Sequence, residues 1–578
     1  MSDSIERQIA AASRLAEAGA WREARDTLQS VIGAQPDAVA ARRALVHCHL
    51  RLGDATSALE TARHATLLDD ARMLGEVLAE LDAARATEPY VELLRARAER
   101  HPRDYRAALA LAAALHRLGR PSEALPWAMR AHQIEPRERQ PIEIRAVAMI
   151  DRGDVEAGLA LCRDLVARYD DREAAARHLV LMHYDPAQTN ARLFDALQAF
   201  AERHLRRWGP PFTATRDPNP KRALRVGWLS PRFNEGPVAV FLTGLLRAFD
   251  RTRYRHLLIA LQPGADAATA RLKALGHEWF DLSGLDDATL LQRLRALELD
   301  VLVDLAGHAT ANRLAVVAQR AAPVQVSWLD WFNTTAAPSM DAWISDRWLT
   351  PEETTQRYTE RLIRLDAGRF CYTPPEDAPP ATRVGSGEVV FASFHRLAKL
   401  NADVLATWAA ILRRVPGARL ELGARLLDDP ATRAYTLERF AAHGVGAERL
   451  GLHGQRPYRE LLAAYRAVDI ALDPFPFSGC TTTCDALFMG TAVVTWPSET
   501  FVSRQSASLL QRLGRAEWIA RDREDYIERA VALASDVSAL RRHRESLRAD
   551  VSVRLCDASA QARDFAALLD RLCARAPP

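Results

Sequence analysis

No stretch of the sequence approaches the roughly 18 consecutive apolar residues that a membrane-spanning helix needs, so no span is expected. The N-terminus, Met1-Ser2-Asp3-Ser4-Ile5-Glu6, has neither the basic start nor the apolar core of a secretory leader, which makes the cytoplasm the expected compartment. Cysteine is scarce: Cys48, Cys162, Cys371, Cys480, Cys484, Cys556 and Cys573 are an odd number without zinc-type pairing, and reduced thiols are expected. Cys480 and Cys484 lie one helical turn apart, but no second pair accompanies them, and no metal centre is expected. Charge of one sign is also missing. The 77 basic and 74 acidic residues leave a net +3, too little to draw a polyanion, so nucleic acid is not an expected partner.

What is present is enough for several domains. At 578 residues and 48% apolar content the chain exceeds one core. Gly19, Gly53, Gly119 and Gly153 are each followed five residues later by Ala24, Ala58, Ala124 or Gly158, and Pro36, Pro102 and Pro136 keep the same register. The first and the last two glycines are 34 residues apart, the tetratricopeptide period, with room for one degenerate repeat around Met73 to His101. Some five helical hairpins are expected from Ile5 to about Asp171, stacked as a solenoid whose concave groove takes a polypeptide or merely supports the next domain. A helix from Asn190 to Trp208 follows, then a breaker-rich linker at Gly209-Pro210-Pro211 and Asp217-Pro218-Asn219-Pro220.

From Leu224 the pattern becomes strand and helix in alternation, first to Leu305 and again from Val389, which predicts right-handed βαβ units and two parallel sheets. The second series closes on Val468 to Ser508. There the strand Ile470-Ala471-Leu472-Asp473 runs into Ser478-Gly479-Cys480 and three threonines, ahead of an apolar helix over Cys484 to Met489 that Gly490 ends. A helix N-terminus at a sheet's carboxyl edge offers free N–H groups to an anion, phosphate above all. A plain capped helix after a strand is the alternative.

Gly479, Thr481, Thr482, Asp485, Gly490, Glu499 and Arg504 resemble the donor-binding segment of the O-linked N-acetylglucosamine transferase family, with Cys480 in place of its histidine. Blocks at Arg225 to Ser230, Asp304 to Thr310, Ala322 to Trp328 and Met340 to Asp346 are similar to that family too, as is the repeat array in front. The resemblance implies an α-helical tetratricopeptide-repeat solenoid followed by an α/β GT-B fold of two Rossmann-like domains. Its parts would be a repeat array over 1–175, a connecting helix and linker over 176–221, halves over 222–380 and 381–550, and a C-terminal helix over 551–578. It implies transfer of a sugar from a nucleotide donor, UDP-N-acetylglucosamine by family default, to Ser or Thr of a protein docked on the repeats. The transfer would be inverting and metal-independent, with no cofactor and with a homo-oligomer allowed. A flagellin or surface-protein glycosyltransferase using another sugar, and an inactive adaptor, are the competing readings.

The same resemblance places Lys399 and Arg396 at the donor diphosphate, where a fixed cation offsets charge gained by the leaving group. Gly479, Cys480, Thr481 and Thr482 line that loop, and Asp485 faces the ribose. Thr334 falls on a first-half loop that contacts donor phosphate. Arg232 and Gly236 replace the family's aspartate and active-site histidine, which leaves Arg232 to pair with an anionic sugar or phosphate. As a general base needs a titratable group in reach of the acceptor hydroxyl, His308, Asp304 and Glu235 remain as candidates, His308 standing equally well as a structural loop histidine.

Overall fold

The computed structural model describes residues 2–209, 212, 222–385 and 387–575, so most of the expected linker, Pro210-Pro211 and Asp217 to Pro220, lies outside the described residues. The chain divides into two compact units, Met1–Met149 and Ile150–Pro578.

Helices Ser2–Glu17 and Trp21–Ala34, Val39–Arg51 and Ala55–Ala62, Ala71–Ala83 and Thr87–Arg100, and Tyr105–Arg117 and Pro121–Ile134 form four hairpins; in chain order the helices Arg139–Asp151 and Val155–Arg168 come next. Gly19, Gly53 and Gly119 sit in the hairpin turns at φ of 79°, 78° and 78°, a region open to glycine without steric cost, and Gly153, just before Val155–Arg168, has φ 104°. In the degenerate third hairpin Arg85 takes that place at φ 54°, so the turn survives the loss of its glycine at a cost of about 1–2 kcal/mol. Ala24, Ala58 and Ala124 are fully buried, small enough for neighbouring helices to close on one another.

The helices Val155–Arg168, Arg172–Met182 and Asn190–His204 lie at the start of the second unit. Two parallel sheets follow. The first holds β1 (Leu224–Ser230), β2 (Tyr254–Ala260), β3 (Glu278–Asp281), β4 (Val301–Asp304), β5 (Val324–Ser327), β6 (Ala342–Ser345) and β7 (Arg361–Arg364) in the order β3-β2-β1-β4-β5-β6-β7. The second holds β8 (Val390–Ser393), β9 (Arg419–Gly423), β10 (Leu450–His453), β11 (Ile470–Leu472) and β12 (Ala492–Val494) in the order β10-β9-β8-β11-β12. Both are doubly wound, and the order reverses beside β1 and β4 in one and beside β8 and β11 in the other.

Asp300, at the entrance to β4, anchors this frame: its oxygens accept from Arg222 at 2.6 and 2.7 Å and from the Arg225 N–H at 2.9 Å. The last helix, Ala558–Arg575, returns to the first sheet. Its Phe565 packs 5.6 Å from Trp228 and 5.0 Å from Trp328, ring centre to ring centre, and all three are buried. Aromatic rings of this size remove about 150–250 Å² each from water, so this contact is a large share of the first half's core.

Candidate active site

In doubly wound sheets ligands sit outside the carboxyl ends of the strands at the reversal point. In the second sheet that point is fed by the chain leaving β8, with His395, Arg396 and Lys399, and by the chain leaving β11, Asp473 to Cys480. Lys399 ends the short 3-10 turn Leu397–Lys399 and its Nζ donates to the Ser478 carbonyl at 2.7 Å, 4.3 Å from the Phe477 ring centre. Desolvation lowers its pKa to about 8 against the pull of Asp473, which leaves it a cation at neutral pH. Asp473 is buried, and burial pushes its carboxyl up to about 6 although Thr495 Oγ1 and the Gly479 N–H both donate to it at 2.6 Å.

The next helix spans Thr481–Phe488, three residues longer at its start than the sequence suggests, so the threonines form its first turn rather than lead into it. Their N–H groups have no intrahelical acceptor and face the loop with the positive end of the helix dipole. Thr482 Oγ1 lies 2.7 Å from His395 Nε2, while His395 Nδ1 meets Ser393 Oγ at 2.8 Å. Burial and then the Lys399 charge keep that imidazole neutral. Thr481 Oγ1 is buried without a hydrogen-bond partner among the described residues. Gly479 is held to its identity by space: a Cβ there would lie 2.5 Å from Thr483 Oγ1 and 2.7 Å from both His395 Nε2 and Thr482 Oγ1. Cys480 precedes the helix with no side-chain cap, and burial pushes its thiol well up.

A cavity of about 450 Å³ adjoins this cluster, with His395 and Arg396 on one side and Arg425, His453, Gln455 and Arg456 on the other. It opens at the carboxyl ends of β8, β9 and β10, and its three guanidinium groups and single carboxylate, Asp151, suit an anionic ligand with hydrogen-bonding edges.

Other residues expected at the site make contacts within the protein. Asp485, in the same helix, is buried, its Oδ1 accepts from the Tyr372 and Tyr458 hydroxyls at 2.7 Å each, and burial raises its pKa to about 6. Arg232 pairs with Asp330, 3.0 Å away. Thr334 is fully buried, and its hydroxyl donates to Glu360 at 2.5 Å. Asp304 accepts from the Gly307 and Ala306 N–H groups at 2.8 and 3.2 Å and holds its own turn. His308 is also cut off from Lys399. Between them stand Trp331, Phe332 and Phe477, in ring contact from His308 to Trp331 (4.9 Å), Trp331 to Phe332 (5.2 Å) and Phe332 to Phe477 (5.0 Å). Glu499 accepts from Thr355 Oγ1 at 2.9 Å and Arg504 donates to the Trp348 carbonyl at 2.9 Å, both bracing the loop before the helix Gln505–Leu513.

Two residues escaped sequence reasoning. His395 carries a signal in hindsight, a histidine two residues past a strand at a reversal point. Arg369 carries none: it is fully buried 4.3 Å from the Trp343 ring and donates to the Trp331 carbonyl at 2.9 Å. Burial lowers its pKa to about 10. Among the described residues no three His, Cys, Asp or Glu side chains gather as metal ligands, and no helix is long and apolar enough to cross a membrane.

Comparison with known proteins adds to this geometry. Residues 205–372 and 381–564 match the family described as Glycosyl transferase family 41, and residues 15–81 match a tetratricopeptide repeat. A Solanum lycopersicum protein named "Probable UDP-N-acetylglucosamine--peptide N-acetylglucosaminyltransferase SPINDLY" is 34% identical over 413 residues, 68% of this chain and 44% of that protein. The Arabidopsis thaliana SEC protein, named as the same kind of probable transferase, is 26% identical over 363 residues, 59% of this chain and 36% of its own length. The chain thus spans less than half the length of these curated relatives. A solved Thermobaculum terrenum O-GlcNAc transferase, a lysine-to-methionine variant, superposes with a TM-score of 0.80 at 33% identity, covering 88% of this chain and 98% of that one.

Proposed function

The chain belongs to glycosyl transferase family 41, and from that premise we propose that it transfers a sugar from a nucleotide donor to Ser or Thr of a polypeptide. The observation that carries the reading is the convergence of Lys399, Gly479 and the Thr481–Phe488 helix N-terminus beside a cavity of about 450 Å³ at the reversal point of the second sheet. The nucleotide enters that cavity with its base against the β9 and β10 ends. Its diphosphate meets the N–H groups of Thr481 and Thr482 and the Lys399 ammonium. As the sugar–phosphate bond breaks, negative charge grows on the diphosphate, and a preorganised cation and helix end stabilise that charge more than they stabilise the intact donor. Leaving-group charge is met in this way by the chain's own groups, which is the basis for proposing metal-independent transfer; inversion is proposed from the family resemblance.

UDP-N-acetylglucosamine is the proposed donor, because the related proteins bear that name. The repeat match supports docking of the acceptor on the helical array. Calorimetry of the purified protein with UDP, GDP, CMP and their sugars tests the donor, with Lys399→Ala alongside. Binding of UDP that weakens in the variant supports the reading. Binding of another nucleotide alone changes the donor, and binding of none removes the transferase reading.

A further inference from the structure

A second cavity, of about 270 Å³, lies apart from the donor site, where helices Arg172–Met182 and Asn190–His204 meet the loop that leaves β4. His308 lies in its wall, 1% exposed. Its Nε2 stands 2.8 Å from the Thr335 carbonyl, which can only accept, so Nε2 holds the proton and Nδ1 presents a lone pair. No donor among the described residues reaches that Nδ1. Burial keeps the ring from charging, lowering its pKa to about 4, so it cannot solve the deficit by taking a second proton. A buried acceptor without a donor is costly, and a ligand hydroxyl or a water removes that cost.

The rest of the wall narrows the choice. Val180, Phe200 and Ala309 are apolar, and at the mouth Arg172 and Arg313 share Asp287, at 3.3 and 2.6 Å. Arg177 also lines the cavity, exposed, with no hydrogen bond or ion pair among the described residues; Glu173 is the remaining carboxylate there. The space suits one or two side chains rather than a nucleotide.

We propose that this cavity is a recognition subsite for the acceptor polypeptide, seating a Ser or Thr hydroxyl on His308 Nδ1 with a neighbouring carboxylate on Arg177. The proposal rests on the reading of the chain as a protein glycosyltransferase. It makes the cavity a place of recognition and not of chemistry, since the aromatic wall of Trp331, Phe332 and Phe477 separates it from Lys399. Selection of acidic, hydroxyl-bearing sequences then occurs away from the transferred sugar.

The test uses the full chain and two probes, the blocked peptides Ac-Glu-Ser-Glu-NH2 and Ac-Glu-Ala-Glu-NH2, with UDP binding read on the same samples. The wild type should favour the serine probe by about fivefold or more, the worth of one hydrogen bond to a buried acceptor. His308→Phe should erase that preference. Arg177→Glu, at an exposed position, should weaken both probes about tenfold or more, less so at high salt, and leave UDP binding unchanged. Equal binding of the two probes by the wild type, retention of affinity in Arg177→Glu, or no binding at millimolar probe overturns the subsite and shows a cavity that holds only water. Failure of the wild type to bind any nucleotide, with probe selectivity intact, would instead remove the transferase reading and leave a peptide-binding cavity without a part in sugar transfer.

Discussion

Replacing Lys399 by methionine keeps the length of the side chain and removes its charge, and the structure states what should follow for rate, pH and stability together. One preorganised charge-stabilising group is worth about 2.7–4 kcal/mol of barrier, so kcat for sugar transfer should fall about 100- to 1,000-fold, with nucleotide affinity falling less. In the wild type the ammonium's pKa is lowered to about 8, so the activity that depends on it is present below that pH and is lost as pH rises through about 8. The free-enzyme profile of kcat/KM carries this limb, and Lys399→Met should lack it. Folding responds in the opposite sense. Holding the ammonium desolvated, with its pKa at about 8 against the ordinary lysine value of 10.5, costs up to about 3 kcal/mol wherever the amine is charged in both folded and unfolded chains, and that cost is relieved as pH climbs from about 8 past the unfolded value. At pH 7 the variant should therefore melt higher than the wild type while transferring sugar far more slowly. The chain has three lysines, Lys221, Lys273 and Lys399, which makes amine acetylation followed by mass spectrometry a direct check on the lowered pKa and on its protection by nucleotide. A loss of rate below about fivefold, a profile flat between about pH 7 and 9, or a variant that melts lower would refute the role assigned to this amine.

Two further outcomes are specific. Arg85→Gly should raise the stability of the repeat unit by about 1 kcal/mol in urea unfolding, because Arg85 holds φ 54° where its counterparts are glycine; a neutral or destabilising result would mean that its side chain contributes more than the strain costs. Gly479→Ala should abolish nucleotide binding in calorimetry while circular dichroism stays unchanged, since the added Cβ would lie 2.7 Å from His395 Nε2 and Thr482 Oγ1; unchanged affinity would show that the loop yields.

The architecture was legible in the sequence where it is periodic. Glycines 34 residues apart mark the hairpins, and the alternation of strand and helix marks both sheets. The degenerate third hairpin was legible only as a gap of the right length, because Arg85 makes by strain the turn that glycine makes freely. At the site, Lys399 and Gly479 could be picked out, and the structure brings both to one strand reversal point. Asp304, Thr334, Arg232 and Asp485 each look available in a linear string, and each has a partner far along the chain or a turn of its own. Thr334 meets Glu360, Arg232 meets Asp330 and Asp485 meets Tyr372, pairings that no local spacing announces. Arg369 escaped for the converse reason, since a guanidinium that is fully buried contradicts the usual exposure of its type.

The return of helix Ala558–Arg575 to the first sheet bears on the order of synthesis. Phe565 completes a core whose other rings, Trp228 and Trp328, leave the ribosome more than two hundred residues earlier. At about 5–20 residues per second those tryptophans wait on the order of ten to seventy seconds for their last neighbour. Until it arrives the nascent chain displays indole surface that chaperones bind, and a message truncated before Ala558 yields a product the cell can recognise as unfinished.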